Sequence, residues 1–375
     1  MAASITIKAN YLARNPIVVA INAGTNASSR YRIYSLLPTP ELQYEGVVYT
    51  ASEAAEIDIS SVFGSLREDA GVAACSICLV DDEDVESLTE TFNVFCGGIS
   101  KLMIRKLAAN STDIFSWKLK NNATNFFLTT RTNGRLIYVP EDELLPLSFY
   151  RAGMYLKVKV DNEYVWTQDY TADTSETLHT WDFADLRAGV MASKNKIASV
   201  FDIMTETGGY ACTVIITEAR RKAAYFLKFK NSWGVYEKIA IEGLVAYTPT
   251  FSTPDAIQVY DSVIEALANE PQRKEISNAY TAEIGYKTAD ERMFILDMLL
   301  SKTCYLLANG VECRASVAAN STVWQDTGNA PTPIQLTITL TDVDENYSAL
   351  NDGTDLLLGT LELNPITANE FKIKL

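Results

Sequence analysis

The stretch Ala223 to Gly243, AAYFLKFKNSWGVYEKIAIEG, allows few folds. In its left arm Tyr225, Leu227 and Phe229 fall on one face, with Phe226, Lys228 and Lys230 on the other. In its right arm Val235, Ile239 and Ile241 stand against Tyr236, Lys238 and Ala240. A two-residue side-chain period belongs to a strand with one buried face. Asn231-Ser232-Trp233-Gly234 separates the arms, and Asn and Gly both tolerate the positive φ of a tight antiparallel connection. The expectation is a β-hairpin with an aromatic at its tip. Trp233 is therefore the candidate binding residue: projecting from the tip it becomes a contact, and folded beneath it becomes core.

The same signals recur along the chain. Pro16–Ala23, Tyr31–Leu37, Gly46–Thr50, Glu56–Ile59, Val72–Val80 and Glu90–Cys96 read as short strands separated by turns, with Ser4–Ala9 a possible edge strand. Val72–Val80 is apolar on both faces, as in a central strand. Asn125–Val139 is a second hairpin around Asn133-Gly134, followed by strands at Tyr155–Val160, Tyr164–Thr167 and Tyr210–Thr217. The polar run Thr171–Arg187 reads as loop. Composition shifts at Thr248–Pro254, and Ala256–Glu270 is balanced between strand (Ile257, Val259, Val263) and helix (Glu265-Ala266-Leu267-Ala268). The clearest helix is Ala289–Ser301, opened by a Thr288/Glu291 capping box and striped by Phe294, Ile295, Met298 and Leu299. Cys304–Ala308 and Val311–Val317 flank Asn309-Gly310, and Ile334–Leu340 alternates cleanly.

With 375 residues the chain exceeds one ordinary core. The expected fold is mostly β: tandem β-sandwich-like domains over 1–97 and 98–247, a smaller α+β domain with one amphipathic helix over 248–342, and an extended C-terminal arm over 343–375, suited to strand addition on a neighbour. Hydrophobic residues at 47% and charged residues at 21% argue against wholesale disorder. The net charge of −15 repels phosphate backbones and anionic membrane surfaces, so neither nucleic-acid binding nor membrane insertion is expected. The opening MAASITIKANYLARNP lacks a signal-peptide core and Val72–Val80 is too short to span a bilayer, so synthesis in a cytoplasm is expected. The six cysteines are then expected reduced and buried.

Chemistry finds little purchase. His179 is the one histidine, which excludes His-pair mechanisms; a triad would have to combine it with Asp182 or Asp185, and no G-x-S-x-G elbow accompanies it. Cys75 and Cys78 form a C-x-x-C, but inside a strand they face opposite sides, and no second pair completes a zinc site. Asp81–Asp84 reads as a solvated loop. Asp342, Asp344 and Asn346 begin like a calcium loop but continue with Tyr347 and Gly353 where Gly and Glu are needed. No phosphate-cradling glycine motif occurs. Trp166, Trp233 and Trp324 are the loop aromatics that could stack on sugars or enter an interface. No catalytic residue, metal ligand or cofactor is expected.

Several stretches, taken in order, resemble a family of structural proteins from phages and prophages of Bacteroidetes hosts, commonly taken as tail components. They are Asn15-Pro16-Ile17; Ala55-Glu56-Ile57-Asp58-Ile59-Ser60; Phe127-Leu128-Thr129-Thr130-Arg131 with Glu143-Leu144-Leu145-Pro146-Leu147; Phe226-Leu227 through Asn231-Ser232-Trp233-Gly234; and Gly285-Tyr286, Leu299-Leu300-Ser301 and Tyr305-Leu306-Leu307. The fourth is similar to a recurrent F-L-x-x-N-S-x-G pattern with one additional residue before Asn231. The resemblance implies a non-enzymatic virion component, made in the bacterial host cytoplasm, whose partners are copies of itself and other virion proteins. The alternative is a carbohydrate- or cell-surface-binding module at a tail tip, with Trp233 as its contact. A hydrolase with dispersed carboxylates is a third reading.

Overall fold

The computed structural model describes residues 2–50, 54–64, 71–81, 83–112, 126–151, 155–172, 177–205, 209–219, 223–252, 256–270, 275–287, 289–308, 310–321 and 332–344. The fold is mostly β, with three α-helices among the described residues: α1 (Lys101–Ala109), α2 (Phe183–Lys194) and α3 (Ala289–Leu300). It forms two compact units. Unit 1 comprises Met1–Val139, Leu144–Thr217 and Asn231–Val235; unit 2 comprises Pro140–Glu143, Glu218–Lys230 and the chain from Tyr236 onward.

Unit 1 begins with a β-sandwich. Its smaller sheet orders Ser4–Thr6, Val18–Asn22 and Ala55–Asp58, with Val18–Asn22 in the middle. Its larger sheet orders Asn10–Leu12, Glu86–Phe95, Val72–Val80, Ser28–Ser35 and Glu41–Tyr49. The alternation read from sequence sets which side chains meet: Val19 and Ile21 from one sheet pack with Ile33, Ile77 and Val94 from the other. Val72–Val80 is central and buried on both faces from Cys75 onward, as its apolar run requires. Cys75 points into the core, where burial pushes its thiol up to about 12. Cys78 faces outward beneath ion pairs. Arg32, its cross-strand partner, meets Glu45 at 2.8 Å, Asp84 at 2.7 Å and Glu86 at 3.4 Å.

The second β region of unit 1 pairs six strands in the order Glu163–Asp169, Tyr155–Val160, Val200–Thr205, Tyr210–Thr217, Leu136–Pro140 and Thr132–Asn133. A two-stranded sheet, Leu147–Arg151 with Thr177–Trp181, and helix α2 complete its core. Aromatic edges fill the interior: Phe127 meets Phe149 at 5.5 Å and Phe183 at 5.9 Å, and Phe149 meets Trp181 at 5.0 Å. The segment expected as loop, Thr171–Arg187, instead supplies a strand and the start of α2. Its polar composition hides two local devices. Leu178 and Trp181 are its only large apolar strand residues, and Asp182 caps the helix by accepting from the Ala184 amide at 2.8 Å. In mid-helix Gly189 stands exposed, where glycine costs about 1 kcal/mol relative to alanine. Helix α1 arises from the basic-apolar run after Gly98. Ser100 caps it by accepting from the Met103 amide, and Leu107 is its one buried residue.

Unit 2 is built on an eight-stranded sheet packed against α3. The path runs Tyr236–Ala240, Tyr225–Lys230, Cys304–Ala308, Val311–Ser321, Thr332–Asp344, Glu275–Lys287 and Val245–Tyr247, with Thr250–Ser252 also on Glu275–Lys287. Ile334, Leu336, Ile338 and Leu340 face Phe294, Ile295 and Met298 across the core. The hairpin expected to close a domain ending at 247 thus joins the C-terminal strands: Leu227 pairs with Leu306 and Phe229 with Cys304. Local pattern establishes a strand but not its remote partner. Ala256–Glu270 resolves as two strands, Ile257–Asp261 and Ala266–Glu270, forming a sheet of their own. Thr288 of the capping box, Asn309, Trp117, Trp324 and the arm beyond Asp344 lie outside the described residues.

All six cysteines are free; five are buried and Cys313 is half-buried. Thiol accessibility follows from that burial. In Ellman's assay the native protein should release at most about one equivalent, slowly and from Cys313, and all six should react in guanidinium. Rapid release of several equivalents in buffer would contradict the packing of Cys75, Cys78 and Cys304.

Candidate functional site

The candidate contact Trp233 is not at a free tip: its side chain is 3% exposed. The Asn231–Val235 turn lies inside unit 1, where Trp233 packs with Leu12, Phe95, Leu128 and Tyr150. Asn231, fully buried, builds the turn. Its Nδ2 donates to the Leu128 carbonyl at 2.8 Å, and its Oδ1 accepts from the amides of Trp233 at 2.9 Å and Val235 at 3.2 Å. Gly97 lies against the ring. A Cβ there would stand 3.0 Å from the Ser232 carbonyl oxygen and 3.1 Å from Trp233 Cε3, and its φ of +110° already favours glycine. Sequence alone shows an aromatic between two turn formers; nothing in it shows the carbonyl and the glycine that receive it.

The other chemically interesting residues also have structural duties. His179 sits in the strand Thr177–Trp181 with its ring 4.3 Å from Tyr170 and 5.7 Å from Phe149. Asp182 caps α2. In the acidic run, Asp81 Oδ1 accepts from the amides of Glu83 and Val85, closing the turn between two strands, and Asp84 pairs with Arg30 and Arg32. Asp82 and the calcium-like residues from Asn346 on lie outside the described residues. Among the described residues no group of three His, Cys, Asp or Glu side chains could hold a metal ion. Trp166 is half-buried and meets Trp181 edge-on at 4.6 Å.

One half-buried carboxylate stands out in unit 2. Asp142, in the turn Glu141–Glu143, has a buried Oδ1 with no hydrogen-bond partner among the described residues. Its neighbour Glu143 accepts from the Ala240 amide at 2.8 Å. Burial first, and then the charge of Glu143, raises the Asp142 pKa.

Two surfaces remain without an evident structural duty. The hairpin Ile257–Glu270 exposes Ile257, Val259, Tyr260, Val263, Ile264 and Leu267, with Val263 at 88%. It carries Asp261, Glu265 and Glu270 and, from residue 256 to 270, no Lys or Arg. Helix α1 is the opposite: Leu102 is 75% exposed beside Lys101, Arg105 and Lys106, and the helix contains no acid. Conflicting residue propensities left this segment ambiguous between helix and strand; its two strands are largely exposed on both faces.

No family model matches the chain, and no curated protein matches it. Among solved structures there is a likeness to the fibronectin(III)-like modules of Clostridium thermocellum CbhA, at 13% identity over 58% of this chain and 95% of that one. Its TM-score of 0.16 carries no argument about fold or function.

Trp233→Ala should cost about 3–5 kcal/mol in denaturant unfolding, as large aromatic truncations in cores do. Asn231→Ala, which strands a buried carbonyl and two amides, should cost about 1–3 kcal/mol. Near-neutral results at both positions would show the turn to be unpacked. Asp142 gives a pH-dependent counterpart. Its folded pKa is raised, so its contribution favours folding below the ordinary carboxylate pKa and is lost as pH rises through the folded value. Asp142→Asn should therefore melt above wild type at pH 7, and the difference should close toward about pH 4. A gap that widens on acidification reverses the sign and removes this account.

Proposed function

We propose that the protein is a non-enzymatic structural subunit that works through contacts between copies of itself, as a tail-associated component of a phage virion. The observation that carries this reading is the hairpin Ile257–Glu270. An isolated two-stranded hairpin is marginal in water, and one with six large apolar side chains in solvent needs a partner surface. Its charge selects that partner. An acidic apolar hairpin complements a basic apolar helix, and α1 supplies Lys101, Arg105, Lys106, Leu102 and Ile104 on an otherwise acidic chain. The occupant is therefore α1 of a second copy. Two different patches on each subunit make a heterologous contact, which repeats into a ring or a filament. The ordered motifs that resemble tail proteins supply the biological setting. The packing of His179 among aromatics and the burial of five cysteines support a role without chemistry.

Light scattering after size exclusion should show assemblies that grow with protein concentration at low salt and shrink at about 1 M salt, where the Debye length is about 3 Å. Val263→Asp with Leu267→Asp should lower the assembled fraction at least tenfold while leaving the melting temperature of the monomer unchanged. Lys106→Glu should weaken assembly, and Glu265→Lys should restore it in that background. A strict monomer at high micromolar concentration overturns the contact. Absence of the chain from purified virions by peptide mass spectrometry overturns the setting while leaving the contact intact.

A further inference from the structure

Unit 1 carries an open groove of about 620 Å³ between the strand Glu163–Asp169 and helix α2. That is within the range of small-molecule sites. Buried Trp181 and Val190 form its floor, and half-buried Trp166 its apolar wall. The floor is rigid: Trp181 Nε1 donates to the Tyr170 hydroxyl at 2.7 Å, and Trp166 packs edge-on to Trp181. Gly189 of α2 lines the same groove. A Cβ at Gly189 would meet nothing within 4 Å, so the fold does not demand glycine there. A helix-weakening residue that no packing explains keeps the groove open beside an aromatic wall.

The polar lining narrows the ligand class. Asp182 is spent on the helix cap, and Lys194 is paired with Glu163. Asp185 lines the groove, and among the described residues its carboxylate has no hydrogen-bond or ion-pair partner. The hydroxyl of exposed Thr180 lies in the same lining. An unpaired carboxylate repels anions and accepts from hydroxyls, and a tryptophan face takes the apolar side of a sugar ring. We propose that this groove binds one or two rings of a neutral carbohydrate, stacked on Trp166 and hydrogen-bonded to Asp185, with Gly189 giving clearance. The site is separate from the hairpin and does not depend on assembly.

The test is tryptophan fluorescence titration of the full chain with cellotetraose, mannotetraose and N-acetylchitotetraose, with spermidine as a cationic control. At least one sugar should give a saturable change at micromolar to millimolar concentration. Trp166→Ala and Gly189→Phe should abolish it, Asp185→Asn should weaken it about tenfold, and Gly189→Ala should retain most of it. Gly189→Phe adds bulk where the fold has open space, so its melting temperature should match wild type, which separates a blocked groove from a damaged core. No saturable change with any of the three sugars overturns the proposal. So does binding that survives Gly189→Phe, or a response to spermidine alone.

Discussion

The side-chain amide of Asn231 is the smallest part of this structure on which the most depends. It lies with no solvent exposure in the middle of unit 1 and satisfies a carbonyl and two amides that would otherwise be buried unpaired. The turn it builds delivers Trp233 to a small core that draws on both β regions: Leu12 and Phe95 from the first sandwich, Leu128 and Tyr150 from the second. Tyr150 adds the matching polar link, donating to the Gly71 carbonyl at 2.8 Å and accepting from its amide at 3.0 Å. A few residues arriving late in the chain thereby add to direct contacts between the two regions, such as Phe95 against Tyr150. Neutral amides and a phenol do this more safely than ion pairs, because they pay a smaller desolvation cost.

How much of this was legible depends on whether the signal is local. Side-chain alternation is local, and Val72–Val80, Tyr155–Val160, Tyr210–Thr217, Tyr225–Lys230 and Cys304–Ala308 follow it closely. The helix Ala289–Leu300 was legible for the same reason. Strand pairing is not local. Nothing between Ala223 and Gly243 says that Leu227 sits beside Leu306, so the hairpin read as the end of one domain when it belongs to the sheet of the next. The segment Thr171–Arg187 failed differently: its few apolar residues are enough only because Phe127, Phe149 and Phe201 surround them. Trp166, Asp182 and Asp185 were each legible as candidates but not as one groove, because they are brought together with Trp181 and Gly189 by a strand and a helix that start in that polar run.

The outer face of the larger sandwich sheet shows how an apolar strand can be covered without a third layer. Cys78 would lie open between its neighbours, but Arg32 lies across from it and gathers Glu45, Asp84 and Glu86, while Tyr34 donates to Glu86. Cys78 is 1% exposed, and the Arg32 side chain across from it 16%. Each pair is partly exposed and contributes modestly by itself, but a network sharing one arginine holds its geometry at lower entropic cost than isolated pairs. Burial raises the Cys78 pKa, as for a thiol sealed from solvent.

In the proposed assembly, the charge distribution favours one kind of contact. A chain with a net charge of −15 repels its copies at long range, which disfavours indiscriminate sticking of the exposed apolar hairpin. At contact distance only complementary patches overcome that repulsion, and α1 is a helix that carries Lys101, Arg105 and Lys106 without an acid. The apolar side chains then supply affinity and the charges supply the choice of partner. An apolar hairpin on a neutral chain would be an aggregation site; in the proposed contact, electrostatics would make it selective.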